Sequence, residues 1–126
     1  MAPVEILLLN QVASYLAMPI FVVDAEGDLV YYNEPAEALL GREYEETGPM
    51  SLEVWGTIFT PTDAGGAPLP ADDLPLALAL RRGAPVQGSF WIKGLDEVSR
   101  RLVVTAFPLH DEEGTVLGGA AVFWEG

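Results

Sequence analysis

Three apolar runs close the chain: Val86–Lys93, Arg100–Phe107 and Thr115–Trp124. In the first, Val86, Gly88, Phe90 and Ile92 alternate with Gln87, Ser89, Trp91 and Lys93, which is the period of a half-buried strand. The other two are apolar on both faces. Leu102, Val104 and Ala106 stand against Val103, Thr105 and Phe107; Gly119, Ala121 and Phe123 stand against Ala120, Val122 and Trp124. The polar stretch His110-Asp111-Glu112-Glu113-Gly114 joins them as a hairpin. An antiparallel sheet can leave one face wet, but here the second face needs cover too. The pattern predicts a small sheet with helices on one side and a further element on the other.

Upstream, Val4–Ala17 carries Val4, Leu8, Val12 and Tyr15 at helical spacing, with Leu7, Ala13 and Leu16 alongside. Glu5, Asn10, Gln11 and Ser14 make its polar side, and Pro19 ends it. So apolar a helix must pack on the outer sheet face or on the same helix of another copy. Ile20–Val23, the turn Asp24-Ala25-Glu26-Gly27 and Asp28–Tyr32 predict a hairpin. Asn33 is placed to cap a helix whose first turn takes Glu34, Pro35 and Glu37 and which Gly41 closes. Met50–Phe59 predicts a short helix or turn, and Pro61–Pro70 a loop. The clearest helix is Asp72–Gly83, with Asp72 or Asp73 as cap, Pro75 in the first turn and Arg81 and Arg82 at the negative end.

Composition narrows the function classes. The 126 residues are half hydrophobic, enough for one domain with a real core. No run approaches the roughly 18 apolar residues of a membrane span, and no basic region precedes Ile6–Leu9 as a signal peptide requires. The expectation is a cytoplasmic domain. Without cysteine there is no disulfide framework, thiolate metal site or cysteine nucleophile. The net charge of −13, six Lys+Arg against nineteen Asp+Glu, leaves no basic stripe for a phosphate backbone and is repelled by an anionic membrane. Neither nucleic acid nor membrane is expected as a partner; the acidity serves solubility.

The ordered set of Pro19-Ile20-Phe21-Val22-Val23-Asp24 with Gly27, Tyr32-Asn33-Glu34-Pro35-Ala36 and Leu39-Leu40-Gly41 resembles the PAS domain family. So do Gly65–Pro70, Leu74-Pro75 through Leu80-Arg81-Arg82-Gly83, and Phe107-Pro108-Leu109 through Gly114 and Gly118. The likeness runs from Pro19 to Glu125, so residues 1–18 form a cap or dimerisation helix and residues 19–126 the PAS core. The resemblance implies an α+β fold: a five-stranded antiparallel sheet of order 2-1-5-4-3, short helices on one face and the N-terminal helix on or near the other. It also implies a sensory or dimerising module of the bacterial two-component type, relaying to a linked or partner output domain. An acidic residue commonly opens the relay motif after the last strand; Glu125 takes that place here.

Residue type narrows the sensing chemistries that the family offers. A cysteinyl-flavin photosensor needs the absent cysteine. A haem sensor uses a histidine on the long helix, where Asp72–Gly83 has none, and the single His110 falls in the last hairpin turn. Noncovalent flavin stays open. Alternation and spacing give cavity-lining candidates: Phe90, Leu102, Val104, Ala106, Ala121 and Phe123 from the sheet, and Tyr31, Trp55, Phe59, Leu76 and Leu80 from the other layer. These residues either fill the core or, helped by the small Gly88, Ala106, Gly119 and Ala121, leave room for a small apolar ligand. The outward stripe Trp91, Val103, Thr105, Phe107, Val122 and Trp124 is too apolar for a bare surface. With Leu8, Val12 and Tyr15 of the first helix it forms the expected dimer and relay face, in a homodimer. A small isomerase using a buried carboxylate is the distant alternative. The acids Asp24, Glu26, Asp28, Glu34, Asp72, Asp73, Asp111, Glu112 and Glu113 sit at turns and helix starts, however, so no catalytic residue and no metal ligand is assigned.

Overall fold

The computed structural model describes residues 3–126; Met1 and Ala2, the start of the expected 1–18 segment, lie outside the described residues. Helix α1 (Val4–Ala13) is followed by strands β1 (Ile20–Asp24) and β2 (Leu29–Tyr32). Helices α2 (Glu34–Leu40), α3 (Tyr44–Thr47), α4 (Leu52–Ile58) and α5 (Pro75–Arg82) then lead into β3 (Val86–Lys93), β4 (Ser99–His110) and β5 (Val116–Glu125). The strands form one antiparallel sheet in the order β2-β1-β5-β4-β3.

One turn design recurs. Asp24 Oδ1 accepts from the N–H groups of Glu26 and Asp28, both at 3.0 Å, and Asp111 Oδ1 from those of Glu113 and Thr115, both at 2.9 Å. Asp63 does the same for Gly65 and Ala67 inside the Pro61–Pro70 loop. In each, the glycine at the fourth position donates back to the aspartate carbonyl. An Asp side chain that closes its own turn needs no partner elsewhere, which accounts for these acids structurally.

Several boundaries differ from the pattern. Leu74, not Asp72 or Asp73, is the N-cap of α5, and no side chain bonds there; the two aspartates lie in a single 3-10 turn, Ala71–Asp73. Pro75 holds its predecessor extended, so the helix starts one residue after Leu74. Strand β4 runs on through Pro108 to His110, beyond the expected Phe107. Pro108 faces Gly119 on β5, whereas β3 reaches only as far as Val86 opposite Ala106. Past that point β4 is an edge on its β3 side, where a missing N–H costs nothing. The first helix stops at Ala13 rather than Ala17, with Ser14 as its C-cap.

Two apolar clusters lie on opposite faces of the sheet. The inner one joins Phe21, Trp55, Phe59, Leu74, Leu76, Ile92, Leu102, Val104 and Phe123 with their neighbours under α2, α4 and α5. The outer one joins Ile6 and Ala13 of α1 to Ile20, Val22 and Ala120. The pair Gly118-Gly119 in β5 serves both. A Cβ on Gly118 would strike the Val23 carbonyl oxygen and lie 2.7 Å from Ile6 Cδ1. A Cβ on Gly119 would lie 3.2 Å from Leu80 Cδ2 and 3.3 Å from Leu76 Cδ1. Bare backbone lets a helix approach from each side.

Asn33 ties α1 to the rest. Its side-chain oxygen accepts from the Ile20 N–H at 3.0 Å and the Ala36 N–H at 3.2 Å, the second being the predicted cap of α2. Its amide donates to the carbonyls of Ala13 at 3.0 Å and Met18 at 2.9 Å. Four backbone groups from four segments thus meet on one buried side chain. At the opposite end, the Arg100 guanidinium donates to the Leu39 carbonyl at 2.9 Å and pairs with Asp96 at 2.8 Å. The hydrogen bond from Arg100 holds the Asp96 carboxyl below its ordinary range, and the bond to the Leu39 carbonyl latches the β3–β4 hairpin to the end of α2.

Candidate functional site

A cavity of about 60 Å³ lies inside the inner cluster. Phe21, Phe90, Ile92, Leu102, Val104, Ala121 and Phe123 wall it from the sheet, and Leu40, Trp55, Phe59, Pro61, Leu74, Pro75 and Leu76 from the helices and loops. The one polar group these side chains carry is the Trp55 indole N–H, which donates to the Gly27 carbonyl at 2.8 Å. The cavity can therefore hold an apolar occupant by dispersion contact, with no side chain to orient it or to move a proton.

Eight of the sequence-predicted lining residues meet here: Trp55, Phe59, Leu76, Phe90, Leu102, Val104, Ala121 and Phe123. Three do not. Tyr31 faces the outer layer, packed on the α1 cluster. The register shifts between Val22 and Val23, so Val30 is an extra residue and Leu29 and Tyr32, not Leu29 and Tyr31, share the inner face. Leu80 packs over Gly27 and Gly119, and Ala106 is fully buried in the inner cluster away from the cavity. Gly88 and Gly119 therefore accommodate Pro75, Leu76 and Leu80 of α5 instead of leaving space. Ile92, on the same strand face as Phe90, joins the eight at the cavity, whereas Phe21, Leu40, Pro61, Leu74 and Pro75 escape the sequence reading. Ile20–Val23 is apolar on both faces, so period-2 alternation marks no phase there, and prolines in loops carry no periodic signal.

The dimensions bear on flavin, which composition alone leaves open. Pockets for ligands of that class run to about 300 Å³ or more and hold a few polar groups in place; this one has about 60 Å³ and a carbon wall. A flavin does not fit the core as folded. His110 ends β4, exposed, and a Cβ on Gly83 would lie 3.9 Å from its Nε2. Among the described residues, no three His, Cys, Asp or Glu side chains gather as a metal site.

The outer face divides in two. Helix α1 covers the β1, β2 and upper β5 half, where Phe107 and Val122 pack against its cluster. Over β3, the first part of β4 and the end of β5 it does not reach: Trp91 is 39% and Trp124 46% exposed, with Val103 half-buried between their strands. The helix docks through Ile6, Leu9, Asn10 and Ala13, which leaves Leu8, Val12 and Tyr15, the residues expected on the dimer face, off its own sheet. Those three point away from the sheet, Tyr15 being 85% exposed, beside exposed Val4, Leu7 and Leu16. Apolar residues surround this helix, so the sequence shows no single buried stripe.

At the β2 edge, three phenols are stacked edge to face. Tyr44 packs on both Tyr31 and Tyr32, with ring centroids 5.5 and 5.3 Å away, and donates its hydroxyl to the Val30 carbonyl at 2.7 Å. The Tyr32 hydroxyl donates to the Arg42 carbonyl at 2.8 Å. Burial pushes all three phenols above their ordinary pKa. No helix among the described residues is long and apolar enough to cross a membrane.

A family model described as "PAS fold" matches residues 7–125. No curated protein matches the chain in sequence. Among solved structures, the PAS domain of an HTR-like protein from Haloarcula marismortui is similar at 19% identity and a TM-score of 0.64, over 93% of this chain and 88% of that one. The PAS domain of nitrogen regulation protein NR(II) from Vibrio parahaemolyticus is similar at 16% identity and a TM-score of 0.64, over 94% and 97%. The LOV domain of a blue-light activated histidine kinase from Erythrobacter litoralis is similar at 17% identity and a TM-score of 0.67, over 87% and 96%.

Proposed function

Because the chain belongs to the PAS family, we propose that it is a regulatory PAS module of a cytoplasmic signalling protein, acting by association with a second copy and without catalysis of its own. The observation that carries this reading is the apolar flank of α1, with Val4, Leu7, Leu8, Val12 and Tyr15 exposed beside the uncovered Trp91 and Trp124 half of the sheet. A partner's α1 laid over that half buries both surfaces together and completes the outer layer. The small cavity is the sensing element: an apolar occupant of a few heavy atoms acts only through its different affinity for two arrangements of the inner strands. The change passes through β4 and β5 to α1 and to the exit at Trp124–Gly126, where an output domain would be linked.

Sedimentation velocity tests the association. The wild type should run as a dimer, and Leu8→Glu with Val12→Glu as a folded monomer, since neither side chain touches its own sheet. A monomeric wild type at high protein concentration would refute the reading. The cavity's small volume also favours a second reading, a constitutive dimerisation domain with a filled core. Native mass spectrometry separates the two: a retained small apolar mass supports the sensor, and a bare dimer supports the interaction module.

A further inference from the structure

Strand β3 is the edge of the sheet, and half of that edge is already closed by this chain's own loop. Trp91 exchanges both backbone hydrogen bonds with Thr62, each at 2.9 Å, and the Lys93 N–H donates to the Phe59 carbonyl at 2.7 Å. Outward-pointing groups recur at every second residue of an antiparallel edge. Ser89 and Gln87 therefore turn their N–H and C=O groups to the same side. Among the described residues, no backbone group answers them there, and both side chains are exposed. The window Val86–Phe90 has none of the usual edge protections: no proline, no charge and no register shift.

Charge selects the occupant. From Arg81 to Arg101 the chain holds five cations and two acids, net +3; the remainder holds one cation and seventeen acids, net −16. Arg81 and Arg82 close α5 just before the strand, and the exposed Arg101 donates to Ser89 Oγ at 3.1 Å on β3 itself. The open edge is thus in the one cationic stretch of a strongly acidic molecule.

We propose that the Gln87–Ser89 edge accepts a short, extended, acidic segment of a partner protein as a sixth strand, in line with Thr62. The segment exchanges backbone hydrogen bonds with Gln87 and Ser89 and sets a carboxylate against Arg101, which already reaches Ser89. A second β3 fits the site poorly. Paired antiparallel about Gly88, it would bring each copy's Thr62 onto the line of the other's Pro85 and set the two cationic stretches side by side. The edge hydrogen bonds lie in the plane of the sheet beside the outer face that the proposed dimer covers, and peptide binding and sedimentation read the two out separately.

The test is fluorescence anisotropy of the full chain with a labelled acetyl-Glu-Val-Glu-Val-Glu-amide peptide and its Lys-for-Glu counterpart. The acidic peptide should bind at low salt, weaken as salt is added, and outcompete the basic one. Gln87→Pro removes an N–H that the β3–β4 ladder does not use; it should weaken binding by about tenfold or more with the unfolding midpoint and dimer unchanged. Arg101→Glu should weaken binding to a similar degree and keeps the test open if the proline variant does not fold. The proposal is overturned if the acidic peptide does not bind, if both peptides bind alike, or if neither variant matters. Loss of the dimer in Gln87→Pro would also overturn it, by placing a second copy on this edge.

Discussion

Both faces of the sheet are apolar, yet they are held in different ways. Among the described residues, eighteen are buried in the inner cluster and five in the outer one. Inside, large side chains from every strand and from α2, α4 and α5 interlock, and the polar tips of Trp55 and Tyr32 reach backbone carbonyls at its margin. Outside, α1 brings Ile6 and Ala13 and half-buried Leu9 to the sheet. Fixing the backbone of a ten-residue helix costs about 1–2 kcal/mol per residue, while each large side chain buried in full returns about 1.5–3 kcal/mol. Docked through one narrow stripe, α1 depends on its own helical hydrogen bonds, on Asn33 at its end, and on whatever covers its other flank. The inner layer is a core; the outer layer is a tether.

Substitutions in each layer test that difference. The largest effect is expected from Trp55→Ala, which removes an inner aromatic and its bond to Gly27 and should cost about 4 kcal/mol in urea unfolding. A loss below about 1 kcal/mol would mean that the inner cluster is not a single cooperative core. Next comes Asn33→Asp, which keeps the acceptors for Ile20 and Ala36 but loses both donors and sets a carboxylate against the carbonyls of Ala13 and Met18. About 2 kcal/mol should be lost, and in hydrogen exchange the α1 amides should lose protection while β3 and β4 keep theirs. Equal loss across both layers would abolish the distinction between core and tether.

The smallest effect is at alkaline pH, where the two layers meet at Tyr31, Tyr32 and Tyr44. Burial raises each phenol's pKa in the folded state above its unfolded value. The folded form thus keeps protons that the unfolded form gives up. This contribution is complete below about pH 10 and is lost as the pH climbs through the raised values. Stability should fall across that window as tyrosinate absorbance grows, with Tyr44→Phe reducing the slope. A stability curve flat above about pH 10 would mean that the three phenols are solvated.

Much of this was legible in the residues. The phase of β3, β4 and β5, the cap at Asn33, the left-handed glycines Gly41 and Gly83 that close α2 and α5, and the outward Trp91–Trp124 stripe follow from local pattern. The misses share a cause. The pattern places Tyr31 inward because a one-residue bulge at Val30 leaves no mark in composition. Which stripe of α1 docks has no local mark, because apolar residues lie all around the helix and the buried stripe includes a polar residue, Asn10. Phe21 and Leu40 carry no sign of being cavity walls, because a fully buried strand and a helix end show no amphipathic period.

The sequence by itself determined the strands, turns, caps and the need for cover on both sheet faces, because each of these depends on the chemistry of residues a few positions apart. Only the tertiary structure decided which flank of α1 meets the sheet, how small the inner cavity is, and that one half of the outer face and one half of the β3 edge stay open. Those outcomes depend on how far rigid elements reach across one another. Residues distant in the chain, such as Gly118 under Ile6 or Thr62 beside Trp91, settle that by their contacts.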